Sequence, residues 1–166
     1  MKKACSIVVA LLASLFIYVF YRSDKTLINE IVKLVFSFDR YAGIKSAIAA
    51  MLPLNEIVIY SLPGGLWMFC ATILAQDFYL PFRRYKIQMT YIPLGFAIGL
   101  ELFQLLHVTN GRFDPWDVVF YVTFWLAATW VIRSQQPQQN ILSPFTLRGF
   151  ICLACFFSVF LAHVTH

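Results

Sequence analysis

Between residues 101 and 117 the chain sets an acid, an amide and an imidazole at intervals of three, Glu101, Gln104 and His107, and follows them with Arg112, Asp114 and Asp117. On a helix, about 100° per residue gathers the first three within roughly a third of the circumference, so they form one polar stripe. Such groups can hold a proton or accept hydrogen bonds from a polar ligand, and an arginine beside them can grip phosphate or carboxylate with two parallel hydrogen bonds. Glu101, His107, Asp114 and Asp117 all carry metal-ligating atoms, but no HExxH-type pair stands among them, so neither a metal nor a cofactor is expected. Ser61 has no base within its own segment to activate it, no catalytic residue is assigned, and an enzyme is the weakest reading.

These residues sit in strongly apolar sequence, YIPLGFAIGLELFQLLHVTNGRFDPWDVVFYVTFWLAATWVIR over 91–133. An ionisable group near the middle of a spanning helix costs about 2.5–3.5 kcal/mol on insertion scales, so Glu101 must face protein or a wet cavity. Gly95 and Gly99 fall on nearly the opposite face, in the small-xxx-small spacing that lets two helices approach closely. After the turn, Asp114 before Pro115 reads as a helix N-cap with Asp117 in the first turn. Capping accounts for the aspartates; it does not account for Glu101.

Hydrophobic residues make up 60% of the 166-residue chain and charged residues 13%, against about 45–50% and 25% in soluble domains. The expected class is all-α: one domain over 1–166, a polytopic membrane bundle of about five transmembrane helices plus one amphipathic interfacial helix. The spans fall at about 4–21, 57–75, 90–108, 116–132 and 148–164, and the amphipathic segment at 26–40. Pro63-Gly64-Gly65 predicts a kink or break in the second span. Residues 76–88, with Arg83, Arg84 and Lys86, read as a basic loop, and the Gln- and Pro-rich stretch after Arg133 as an exposed loop with little regular structure.

The net charge of +5 comes from Lys and Arg scattered at span flanks and not from a basic run, so no nucleic-acid partner is expected. The N-terminus and the second and fourth loops hold seven of these cations, the third loop and C-terminal tail one, and the long first loop five. That asymmetry predicts a cytoplasmic N-terminus and puts Arg112, Asp114 and Asp117 on the outer face. Cys152 and Cys155 form a C-x-x-C inside an apolar run, where they read, with Cys5 and Cys70, as small packing residues.

Glu101, Gln104, Arg112, Asp114 and Asp117 stand as they do in the signature of the VanZ-like membrane protein family, which this chain resembles as a divergent member over 53–133. That signature has a Glu and a Gln three residues on, then Arg-x-x-x-x-Asp or a Gly-x-Phe-Asp-x-x-Asp variant leading into the next span. The stretch NEIVIYSLPGGLW over 55–67 resembles the preceding span of a divergent branch. Where family members commonly carry an Asn four residues after the second Asp and then a Gly, this chain has Tyr121, Phe124 and Trp125.

The resemblance implies a bacterial cytoplasmic-membrane protein of the cell envelope. It implies membrane lipids or a lipid-linked envelope compound as ligand, and an effect on sensitivity to teicoplanin-like lipoglycopeptides. Under that reading Glu101, Gln104 and His107 line an intramembrane track, Arg112 attracts an anionic headgroup or pairs with Asp114 or Asp117, and Tyr121 extends the track from the facing helix. The alternative is a small assembly subunit with no ligand of its own, joined to a second copy or a larger complex through Gly95 and Gly99.

Overall fold

The computed structural model describes residues 2–22, 38–109, 112–131, 137–144 and 146–164, so all but the last three residues of the amphipathic segment expected at 26–40 lie outside the described residues. Six helices and three short strands follow in the order α1 (Lys2–Phe20), α2 (Phe38–Met51), α3 (Glu56–Ala75), β1 (Phe78–Phe82), β2 (Tyr85–Gln88), α4 (Tyr91–Leu105), α5 (Pro115–Val131), β3 (Gln139–Asn140) and α6 (Leu147–Val164). The fold is helical, as the composition requires. Among the described residues two helices are long and apolar enough to cross a membrane, Lys3–Phe20 and Glu56–Ala75, whereas Tyr91–Leu105 and the apolar stretch Leu147–Phe157 are shorter. The third expected span therefore ends three residues earlier than its hydropathy suggests, at Leu105 and not at 108.

The core is organised around α3, which packs on α1, α4, α5 and α6. Asn55 starts it by accepting a hydrogen bond from the Ile57 N–H at 3.1 Å, and Glu56 occupies the first turn, where the helix dipole favours an acid. The helix then runs through Pro63 to Ala75 without interruption, so of the kink or break expected at Pro63-Gly64-Gly65 the break is absent. The two glycines serve close approach: a Cβ on Gly64 would lie 2.9 Å from Tyr121 Cε1, and one on Gly65 would lie 2.6 Å from Phe124 Cδ2. Without their own side chains, α3 and α5 bury Met68 and Tyr121 against each other. Gly95 and Gly99, where close packing was expected, meet nothing within 4 Å.

Antiparallel packing of α1 on α3 is tied at both ends. Lys3 Nζ pairs with Asp77 Oδ1 at 2.8 Å, and Arg22 Nη2 donates to the Tyr60 carbonyl at 3.3 Å. At the Lys3 end, residues 76–88 form a hairpin, not an open loop. Tyr79 stands opposite Gln88 and Phe82 opposite Tyr85, and β3 joins β1 in parallel, Phe78 opposite Gln139. The reason is burial: Phe78, Met89 and Ile141 close over Ala75 and Cys152, so an apolar residue in each polar connection anchors it to the bundle. All four cysteines are free, Cys70 and Cys152 being buried.

Candidate functional site

Glu101 lies on the last two turns of α4 with 3% of its surface exposed, while its neighbours Leu102 and Phe103 are about half exposed. The helix thus turns its apolar side outward and its acid inward. The carboxylate meets the turn that begins α5, where Oε2 accepts the Asp114 N–H at 3.4 Å. Asp114 in turn accepts the Trp116 N–H at 2.9 Å through Oδ1 and the Asp117 N–H at 3.1 Å through its carbonyl. The cap read from the sequence is present, and Glu101 is laid against its outer edge, where unpaired helical N–H groups favour negative charge.

One turn further along α5, Tyr121 is buried with its ring against Gly64. Asp117, Glu101, Tyr18 and Arg22 all bear electrostatically on this residue. Arg22 lies with its guanidinium 5.0 Å from the centre of the Tyr18 ring and 5.2 Å from that of Tyr60. Its Nε is shut off from solvent without a partner among the described residues, and so is Ser61 Oγ. A cation held between two rings with a bare buried donor is a group whose hydrogen-bonding capacity is incompletely used.

Beside Tyr18 and Tyr121, between α1, α3, α4 and α5, lies a crevice of about 230 Å³. Ser14 and Tyr18 line it from α1, Gly64 and Trp67 from α3, Ala97 from α4 and Tyr121 from α5. Its walls are largely apolar and its volume suits a short apolar segment, such as part of an acyl chain. Among the described residues, no three His, Cys, Asp or Glu side chains gather where they could share a metal ion.

The expected track is only partly assembled. Glu101, Asp114, Asp117 and Tyr121 come together, and Gln104 is half-buried one turn beyond Glu101. Arg112 is exposed. His107 is not on the helical stripe. Its φ of 57° is left-handed, and the His107 N–H bonds to the Gln104 carbonyl at 3.0 Å while the Val108 N–H reaches the Phe103 carbonyl at 2.9 Å. This is the paired closure of a Schellman motif, with histidine in the position glycine usually takes. Extrapolating helical spacing past the end of α4 put His107 on the wrong face.

One consequence is measurable. His107→Gly removes a side chain from a left-handed position and should stabilise the protein by about 1 kcal/mol, read as a higher melting temperature in detergent, with function unchanged. A loss of function in that variant would restore His107 to the site.

Sequence reasoning passed over Arg22, Tyr18 and Tyr60, reading the arginine as a span-flanking charge. The available signal was the i, i+4 spacing of Tyr18 and Arg22, which stacks a cation on a ring only if the helix persists to that point. Comparison of the chain with protein-family models, curated proteins and solved structures finds no match.

Proposed function

We propose that this chain is a VanZ-like, multi-pass protein of the bacterial cytoplasmic membrane that binds a lipid or lipid-linked envelope compound and thereby affects sensitivity to lipoglycopeptides. The observation that carries the reading is Glu101: an acid 3% exposed in an apolar helix, close to Asp114 and Asp117 and to Tyr121, whose ring lines a neighbouring apolar crevice. Burial of such a group is costly, and a packing role alone would be met more cheaply by an apolar residue. Apolar side chains exposed along the outer faces of α1, α4, α5 and α6, among them Leu12, Phe103, Val119 and Ile151, support insertion of these four helices beside α3. Lys3, Arg83, Arg84 and Lys86 share one end of the bundle through the Lys3–Asp77 pair, and the positive-inside rule assigns that end to the cytoplasm.

Native mass spectrometry of the protein released from membranes tests the binding. Wild type should carry a bound amphiphile, and Ser14→Phe, which fills the crevice from α1, should lose it while keeping its melting temperature. Retention of the same amphiphile by Ser14→Phe at wild-type occupancy would place the ligand elsewhere.

A second reading is favoured by the open space over Gly95 and Gly99. A small-residue face with no neighbour among the described residues is placed to meet a helix of another copy or another subunit. Gly99→Leu would then dissociate the complex in mild detergent, whereas an amphiphile-binding monomer would be indifferent to it.

A further inference from the structure

At the opposite end of α5 from Asp117, about 18 Å away along the helix axis, a separate pocket of about 320 Å³ opens between the end of α3, the start of α4 and the last turns of α5. Its walls are amides, hydroxyls and aromatic rings: Gln76, Gln88 and Gln138 with Thr90 and Thr129, flanked by Tyr91, Trp125 and Trp130. Among the described residues none of the lining side chains is charged. The described lining is uncharged and offers both donors and acceptors, which suits a ligand rich in hydroxyls.

The polar groups are arranged for more hydrogen bonds than the protein itself makes. Gln76 is 7% exposed, and its Nε2 donates to the Ala128 carbonyl at 2.8 Å. That bond fixes the amide orientation and leaves Oε1 buried with no donor. Thr129 Oγ1 spends its proton on the Trp125 and Leu126 carbonyls, each at 3.0 Å, so toward the pocket it can act only as an acceptor. Gln88 and Gln138 are exposed at the rim, and each offers both donors and an acceptor. The rings are held rigidly: Trp125 Nε1 donates to the Thr90 carbonyl at 2.9 Å, and the Tyr91 ring lies 5.7 Å from that of Trp125 at 41°.

We infer that this pocket binds a neutral, hydroxyl-rich ring, a sugar presented either free or as the headgroup of a glycolipid. Hydroxyls accept from and donate to the rim amides Gln88 and Gln138 and donate to Thr129 Oγ1, and the apolar face of the ring lies on the indole planes. The volume falls at the small end of the roughly 300–1,000 Å³ range of ligand pockets, which fits one ring and not an oligosaccharide. Trp130, 73% exposed beside the pocket, sits where an interfacial aromatic would meet the headgroup layer.

The test uses the full chain in phosphatidylglycerol nanodiscs, with amide hydrogen exchange of residues 76–91 and 137–140 and tryptophan fluorescence as readouts. The probes are a panel of free methyl hexosides and, separately, nanodiscs containing glucosyl, galactosyl or mannosyl diacylglycerol. Saturable protection by a free hexoside supports a soluble sugar, and protection only by a glycolipid supports a membrane headgroup. In either case Gln88→Ala with Gln138→Ala, both at the exposed rim, should weaken binding at least tenfold. Glu101→Gln should leave it unchanged, because that residue belongs to the other end of the bundle. No response to any probe, or full affinity in the rim double variant, overturns the assignment.

Discussion

Glu101→Gln is expected to accumulate in the membrane at the wild-type level and to fail in complementing a deletion of the gene, scored by sensitivity to a lipid-bearing glycopeptide. The substitution keeps size and shape, and the amide oxygen can still accept the Asp114 N–H, whose bond at 3.4 Å is long and weak to begin with. Its structural cost should therefore stay within about 1 kcal/mol. What it removes is the negative charge and the capacity to take up a proton at a buried point facing Asp117 and Tyr121. Asp117→Asn should behave in the same way, and Arg112→Ala, at an exposed residue, should fail if that cation receives the ligand. Glu101→Leu is the contrasting variant. It leaves the Asp114 N–H without an acceptor, a loss of about 1–3 kcal/mol if the group stays buried, and should lower the melting temperature. Normal complementation by Glu101→Gln and Asp117→Asn would reduce the cluster to a fastening between α4 and α5 and bring the assembly-subunit reading forward.

Gly65→Val should produce the largest fall in stability of any single substitution proposed for this chain. A Cβ at that position would come within 2.6 Å of Phe124 Cδ2 and 3.3 Å of Phe120 Cβ. Phe124 cannot simply swing aside, because its ring stacks on Phe120 at 6.1 Å and meets the edge of Phe69 at 6.4 Å. Separating α3 from α5 loosens the most extensive helix pair in the molecule, and overpacking of this kind costs about 1–3 kcal/mol. Gly64→Ala should cost less but act on the site, since its Cβ would press on Tyr121 at 2.9 Å and displace the hydroxyl. By contrast, Gly95→Ala should be neutral or stabilising by up to about 1 kcal/mol through helix propensity. Thermal melting of the purified variants in one detergent ranks them. Equal losses at Gly65 and Gly95 would contradict the packing described for α3 and α5.

The parts of this molecule that follow from local chemistry can be read from its sequence. Asn55 and Asp114 cap their helices because a short acceptor before a helical run has one low-energy use. Glu101 turns inward because the exposed side of α4 is apolar. What could not be read depends on partners distant in the chain. The role of Gly64 and Gly65 is decided by Tyr121 and Phe124, and the same pattern at Gly95 and Gly99 has no counterpart facing it. The three-stranded sheet depends on Ile141 finding Phe78 and Met89 across more than fifty residues of chain. Arg22 becomes part of the site only when α1 lies antiparallel to α3 and brings Tyr60 beside it. His107 shows the opposite failure: a correct local period carried one turn too far, past a left-handed residue that hydropathy does not register.

The brevity of α4 carries a consequence for the lipid around it. Fifteen residues rise about 22 Å, some 8 Å less than the hydrocarbon thickness of a typical bilayer. If α4 is inserted beside the longer α1 and α3 as proposed, it creates a hydrophobic mismatch on one flank, and the leaflet next to Leu102, Phe103 and Leu106 must thin or the helix must tilt to meet it. Thinning on that flank lowers the headgroup layer toward the turn that holds Asp114 and shortens the path from water to Glu101. The acid is then buried with respect to protein yet near the membrane surface, and acyl-chain length becomes a variable that sets how readily an amphiphile reaches it.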